Sequence, residues 1–291
     1  MRTPFAPRTA ITPTFSRRQF TTGTLAAIGG IALAGSLPTG GRAQSMDPYT
    51  YIRTMPATTT LGQLPGAAPD ANAPVNADNA TWSTYIQLPI KEGQDFHFTC
   101  EFDSAWIILK AFQLEVPLQQ QIDLVGIDEW IEPWYEERAD GVVVWGGEVN
   151  DYYCGDYQTN FLARARGNAM KKVFEGSGLT ATPVSDRAGI EKALGQGQPV
   201  FFKSTVDFLD WVPATWITPT DAQYPVVLGN DHALIVMGHN DQDVIIRDPL
   251  GPTSTNGTRP YQYRVTWERY LEVFAAQGND GLAVGPARQA N

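Results

Sequence analysis

The chain has 291 residues, with 21 basic and 31 acidic side chains and a formal net charge of −10. That balance argues against binding to nucleic acid or to an anionic membrane, because both partners require a basic surface. The hydrophobic fraction of 43% and the eight tryptophans argue against a disordered chain. Two cysteines and three histidines are too few for a disulfide scaffold or a multi-metal site, so we expect a globular, enzyme-sized domain without metal or cofactor.

Residues 1–43 have the features of a twin-arginine signal peptide. Arg17 and Arg18 precede a weakly apolar run at residues 25–37, which is too short to cross a bilayer, and Ala43 ends a small-residue cleavage site. Removal of this segment would leave 16 basic and 31 acidic residues, a net charge of −15. We therefore expect a bacterial protein that is exported to the periplasm or beyond, with no stable membrane insertion after cleavage.

The next segment, residues 44–81, is rich in proline, alanine and threonine and carries little charge. This composition predicts a linker or an arm that lies on the surface. The folded domain is predicted to span residues 82–291 and to begin with a strand at residues 84–90.

Helical spacing of apolar residues recurs in the first half of this domain. Asp186 is a plausible N-cap for the last of these segments. Residues 128–157 contain seven Trp and Tyr residues without a clear period, and we predict that they are irregular. The predicted helices occupy residues 100–112, 117–125, 160–176 and 186–194.

After Pro199 the sequence changes to short β-rich runs that are bounded by glycine, asparagine and aspartate. Residues 267–276 are predicted to form a closing helix. Helices followed by an antiparallel sheet indicate an α+β domain whose two halves pack face to face. The predicted strands occupy residues 200–205, 233–236, 244–247 and 261–265.

Cys100 is the candidate nucleophile. It stands at the predicted start of a helix, where the helix dipole favours an anion and lowers the pKa of a thiol. Gln94 lies six residues earlier in a loop, and its amide can point to the same place as the backbone N–H of Cys100. The two groups would supply two donors to a tetrahedral oxyanion. Glu101 opposes thiolate formation electrostatically.

His232 stands at the entry to one predicted strand and Asp248 at the exit of the next. A turn at residues 240–243 would join these strands as an antiparallel hairpin, so the two side chains can be neighbours. The predicted roles are base and acid for the imidazole, and a carboxylate that fixes its tautomer. His239 is the competing base, but its odd spacing from His232 puts its ring on the opposite strand face. His97 is predicted to be a rim or loop residue.

Two features have alternative interpretations. Cys100 and Cys154 are the only cysteines, and a disulfide between them would remove the nucleophile. The aromatic stretches at residues 128–157 and 206–229 either pack as a satellite core under long loops or form the wall of a substrate groove.

The combination of these residues resembles a known enzyme family. Gln94 with residues 100–109 resembles the catalytic-helix motif of cysteine peptidase family 39, the bacteriocin-processing peptidases. Residues 231–240 resemble the histidine strand of that family, and residues 244–249 resemble its strand that ends in Asp-Pro. The resemblance extends over residues 88–274.

The resemblance implies a papain-like α+β fold, in which a catalytic helix packs on an antiparallel sheet. It also implies Cys100 as nucleophile, His232 as base, Asp248 as orienting residue and Gln94 as oxyanion donor. The best-known members act while fused to an exporter, and the sequence shows no such domain. We therefore expect a free-standing secreted peptidase or amidase that acts on a peptide or protein substrate through an acyl-enzyme.

Two other functions stay open at this point. The same residues could transfer the acyl group to an amine, as an acyltransferase or transamidase does. The domain could instead be a catalytically inactive peptide-binding module of the same fold. No sequence feature specifies the cleavage specificity or the oligomeric state.

Overall fold

The protein is described here by a computed structural model that covers residues 82–251 and 260–287. The predicted signal peptide and the predicted arm at residues 44–81 lie outside the described residues. Among the described residues, no helix has the length and apolar character that a bilayer crossing requires.

The described part of the chain mixes helices and strands. One turn of 3₁₀-helix, Val206–Phe208, follows the seventh strand. The α-helices are α1 (Cys100–Ala111), α2 (Leu118–Val125), α3 (Gly167–Gly176), α4 (Arg187–Gly195) and α5 (Trp267–Ala276). The strands are β1 (Thr84–Tyr85), β2 (Ile127–Asp128), β3 (Trp134–Arg138), β4 (Gly141–Trp145), β5 (Tyr153–Cys154), β6 (Leu179–Val184), β7 (Val200–Thr205), β8 (Pro213–Ile217), β9 (Gln223–Val227), β10 (Asp231–His239), β11 (Asp243–Arg247), β12 (Gln262–Thr266) and β13 (Gly281–Pro286).

The main sheet has the strand order β12-β11-β10-β7-β13-β6, with β1 paired to the end of β10. All of its pairs are antiparallel. Ala233 and Ile235 of β10 belong to the core shared with α1, α2 and α3, whereas Leu234 and Val236 belong to the core shared with α4 and α5. Because helices cover both faces, the middle of β10 is apolar without alternation.

A second sheet has the order β3-β4-β8-β9, and its β4 and β8 strands are parallel. Its core is built around Trp216, which is fully buried and whose indole N–H donates to the carbonyl oxygen of Gly147 at 3.0 Å. A Cβ atom at Gly146 would lie 2.0 Å from the Trp216 ring, so only glycine fits there. Trp130 and Trp134, in contrast, are exposed.

The α+β class and the antiparallel main sheet agree with the sequence prediction, but helices lie on both faces of that sheet rather than in one half. The predicted strand at residues 200–205 and helix at residues 267–276 match β7 and α5. The Asp186 carboxylate accepts from the N–H of Gly189 at 2.7 Å, which confirms it as the N-cap of α4.

Other predicted bounds are wrong. The first strand is Thr84–Tyr85 rather than residues 84–90. Residues 128–157 are not irregular, because they contain β3 and β4. The helix predicted at residues 160–176 begins only at Gly167, because the Asn160 carboxamide oxygen accepts from the Leu162 N–H at 2.9 Å and holds a turn instead.

Candidate active site

The catalytic cysteine proposed from the sequence is the first residue of α1. Nine of the twelve residues of this helix are buried, since it packs against β10 of the main sheet and against α2 and α3. The Ser104 hydroxyl donates to the carbonyl oxygen of Ala233 at 2.8 Å. This bond joins α1 to β10 at the residue that follows His232, and so brings the start of the helix to the histidine strand.

Three of the four predicted site residues line one cavity: Gln94, Cys100 and His232. The cavity has a volume of about 30 Å³, which is on the scale of one water molecule. His97, predicted as a rim residue, lies in its wall, and Leu250 does so as well. The structure thus brings together residues that are separated by more than one hundred positions in the chain.

Asp248 does not line the cavity but lies behind His232. Its Oδ1 atom is 2.9 Å from Nε2 of His232, and both side chains are buried. Oδ1 also accepts from the N–H of Leu250 at 2.8 Å, and Oδ2 accepts from the hydroxyl of Tyr263 at 2.7 Å. An ionised carboxylate only accepts, so Nε2 carries the proton in a neutral imidazole, and Nδ1 is left as the acceptor and base.

The Cys100 thiol is neutral in this arrangement. Its Sγ atom donates to Oε2 of Glu101 at 3.2 Å, and only 6% of the residue is exposed. Burial raises the pKa of the thiol well above its ordinary value, the charges of Glu101 and Asp231 raise it further, and Lys203 lowers it. The expectation that the helix start lowers this pKa is wrong, because desolvation and the neighbouring carboxylate outweigh the helix dipole.

The loop that carries Gln94 is tied to α1 by Asp103. The Asp103 carboxylate accepts from the backbone N–H of Asp95 at 3.3 Å and from the hydroxyl of Thr99 at 2.7 Å. It also lies 3.1 Å from Nζ of Lys91. Burial raises the pKa of Asp103 to about 6, although Lys91 opposes the rise. These contacts hold the candidate oxyanion donor beside the first turn of the helix.

The competing histidine lies elsewhere. His239 is the last residue of β10, its ring is 6.0 Å from that of Trp267, and its Nδ1 atom is 3.9 Å from Oε1 of Glu191. It does not line the cavity that holds Cys100.

The two cysteines both carry free, buried thiols, so the structure contains no disulfide between Cys100 and Cys154. The Cys154 thiol lies in the core of the second sheet, and burial raises its pKa. Within residues 82–251 and 260–287, no group of three or more His, Cys, Asp or Glu side chains could hold a metal ion.

Sequence reasoning missed a buried ion pair beneath the nucleophile. Lys203 of β7 donates to Oε1 of Glu101 and, at 2.8 Å, to Oδ2 of Asp231. The available signal was a lysine in the middle of a strand that is otherwise typical of a buried one, since a buried lysine requires a partner. Tyr263, which binds Asp248, left no comparable signal.

Comparison with known proteins identifies a solved structure with a similar fold. No family model matches the chain, and no curated protein matches it. It is similar to the solved structure of a putative C39-like peptidase from Bacillus anthracis, with a TM-score of 0.55 and 14% identity. The similarity covers 72% of this chain and 99% of that chain. The chain has a C39-like fold. The C39-like fold agrees with the family that the sequence motifs resemble.

Proposed function

We propose that the protein is a thiol hydrolase, a peptidase or amidase that cleaves a peptide or amide bond through an acyl-enzyme on Cys100. The observation that carries the proposal is the shared cavity of Gln94, Cys100 and His232, with Asp248 bound to the far nitrogen of the imidazole. The C39-like fold supports the same reaction class, because the similar structure is that of a putative peptidase.

In the proposed reaction, Nδ1 of His232 takes the proton from Sγ of Cys100 as the sulfur attacks the substrate carbonyl carbon. The backbone N–H of Cys100 and the amide of Gln94 donate to the oxyanion that forms. The C–N bond then breaks, and the imidazolium gives its proton to the leaving amine. Water attacks the thioester, its proton passes through His232 to the sulfur, and the carboxylic acid product leaves.

The neutral resting thiol makes His232 a true general base in this scheme. A thiol with a raised pKa does not lose its proton before substrate binds, so the positive charge on the imidazole develops during the attack. Asp248 would stabilise that charge and hold the tautomer, while Tyr263 and the N–H of Leu250 fix the carboxylate.

We also propose that the hydrolase acts outside the cytoplasm, on the basis of the twin-arginine motif at Arg17 and Arg18. Replacing both arginines by lysine keeps their charge and should hold the precursor inside the cell. Fractionation of a bacterial host measures this, and export of the double variant at the wild-type level would contradict the route.

The hydrolase proposal is tested with a peptide library whose products are read by mass spectrometry. The wild-type protein should generate cleavage products, and Cys100→Ala should generate none. Cys154→Ala is the matched control, because Cys154 is the other buried free thiol and takes no part in the proposed reaction. Equal activity of the two alanine variants, or binding of peptides without cleavage by the wild-type protein, would refute the proposal.

A further inference from the structure

Beneath Cys100 lies a cluster of buried charges that the proposed reaction does not use. Glu101 is fully buried, and Lys203 is only 3% exposed. Oε1 of Glu101 accepts from Nζ of Lys203 and from the N–H of Ala165, the latter at 3.3 Å, while Oε2 accepts from the Cys100 thiol at 3.2 Å. The carboxylate therefore touches the reacting sulfur with one oxygen and is held in place through the other.

Lys203 is itself fixed from a second side. Its ammonium donates to Oδ2 of Asp231 at 2.8 Å, and Oδ1 of Asp231 accepts from Gln277 at 2.6 Å. Arg164 adds a second positive charge, with Nη1 at 3.8 Å from Oδ1 of Asp231. The lysine thus keeps a carboxylate partner whether or not Glu101 is charged, and its ammonium cannot swing away without leaving a buried charge unpaired.

We propose that Glu101 is a further catalytic group, which holds the Cys100 thiol as a hydrogen-bond donor in the resting site, and that Lys203 is the positioning residue that fixes the Glu101 carboxylate there. This inference deepens the proposed function and rests on Cys100 as its nucleophile. The consequence is a nucleophile that stays protonated until a substrate carbonyl is present to be attacked.

Three charged side chains act on the balance between the thiol and the thiolate of Cys100. The carboxylates of Glu101 on α1 and Asp231 on β10 favour the thiol, and Lys203 on β7 favours the thiolate. The imidazole of His232 lines the same cavity, and so does that of His97. The neighbouring phenol of Tyr153 has a pKa raised well above its ordinary value by burial and by Glu101 and stays neutral.

A cysteine that stays protonated suits a protein that we propose to work in an oxidising compartment. Peroxide and alkylating reagents react with the thiolate rather than with the thiol. The Glu101 carboxylate would therefore protect Cys100 from oxidation between turnovers. In return, His232 would have to remove the proton from a thiol that is harder to ionise.

The test is the rate of iodoacetamide alkylation of Cys100 from pH 6 to pH 11 in the full-length protein, read by mass spectrometry of the peptide that contains it. Glu101→Gln keeps the size of the side chain and leaves Lys203 paired with Asp231. In this variant the titration midpoint of the Cys100 thiol should fall. Alkylation of Cys100 at pH 7 should then be about tenfold faster for each pH unit of that fall. Lys203→Gln should move the midpoint in the opposite direction.

Opposite shifts at the two ends of one ion pair separate an electrostatic role from a structural one. A variant that merely loosens the site admits water to the buried sulfur and lowers the midpoint whichever residue is changed. A fall of the midpoint in Lys203→Gln as well as in Glu101→Gln, or no shift in Glu101→Gln, would therefore overturn the inference. Asp231→Asn provides a second measurement if Lys203→Gln does not fold, and its midpoint should fall by less than that of Glu101→Gln. Glu175→Gln, on the exposed face of α3, is the matched control.

The failure of this inference is distinguishable from the failure of the proposed function. Alkylation requires no turnover, so shifted midpoints without peptide cleavage would refute the hydrolase and leave the role of Glu101 intact. Cleavage by the wild-type protein together with an unshifted midpoint in Glu101→Gln would refute the role of Glu101 alone.

Discussion

The buried carboxyl of Asp103, which ties the Gln94 loop to α1, should make the stability of the fold depend on pH. Only 1% of this residue is exposed, and its partners are Lys91, Thr99 and the backbone N–H of Asp95. Replacement by asparagine keeps the shape of the side chain and removes its titration. The expected result is a change in how the free energy of unfolding depends on pH.

The size of this change in the free energy of unfolding follows from the pKa of Asp103, which burial raises from 3.8 to about 6. The folded state holds this proton more tightly than the unfolded chain, so ionisation favours unfolding. The contribution of the protonated Asp103 carboxyl to the free energy of unfolding is therefore fully present below pH 4 and is lost as the pH rises to about 6. The loss approaches roughly 3 kcal/mol, because each unit of pKa corresponds to about 1.4 kcal/mol.

Urea unfolding from pH 3 to pH 7 measures this difference. The free energy of unfolding of Asp103→Asn, relative to wild type, should rise by about 3 kcal/mol across that range. Asp123→Asn, an exposed position on α2, is the control and should follow the wild-type profile. In Lys91→Met the pH-dependent loss of stability should occur at a higher pH than in wild type, because Lys91 opposes the rise in the pKa of Asp103. Parallel profiles for wild type and Asp103→Asn would refute the reasoning.

Three further results are expected. Asp248→Ala should lower kcat by on the order of 10⁴-fold, the loss in kcat that removal of the triad aspartate causes in a serine protease, and a change below about tenfold would contradict the orienting role. Tyr263→Phe should lower the free energy of unfolding by about 1.5–3 kcal/mol, since it removes a donor to the buried Asp248 carboxylate; an unchanged urea midpoint would contradict this. Gly146→Ala should destabilise the second sheet by at least about 1–3 kcal/mol, because a Cβ would enter the Trp216 ring, and an unchanged thermal midpoint would contradict that packing.

The parts of the fold that the sequence predicts are those set by local chemistry. The spacing of Phe102, Trp106 and Leu109 predicts α1, because one helix face must be apolar. The hairpin that brings His232 beside Asp248 follows from two β-rich runs and a polar turn between them. The prediction of this neighbour pair is therefore a consequence of strand pairing over a short distance in the chain.

The parts that the sequence does not predict depend on distant pairing. Strand β13 follows α5, yet it lies between β7 and β6, and its glycine-rich sequence is typical of a chain end rather than of an interior strand. Strand β3 carries three charged residues in succession and pairs with β4 on an exposed sheet. No local period marks either strand, because the partners that stabilise them come from elsewhere in the chain.

The candidate site likewise has features that the sequence predicts and features that it does not. Cys100 and His232 are visible as residue types at the ends of predicted elements, and Gln94 as an amide in the loop before the predicted helix. The protonation state of the thiol is not, because burial raises its pKa most, and that burial comes from packing against residues distant in the chain. Glu101 raises the pKa further, and Lys203, 103 positions away, lowers it. An isolated helix start would lower the pKa of the thiol, and only the packed structure reverses the sign.

The central claim, an acyl-enzyme on Cys100, is tested most directly by trapping it. The protein is mixed with p-nitrophenyl acetate, quenched in acid within the first turnover, and digested for mass spectrometry. We expect one acetyl group on the peptide that contains Cys100, with none in Cys100→Ala and a strongly reduced amount in His232→Ala. Acetylation confined to surface lysines, or equal on Cys100 and Cys154, would contradict it.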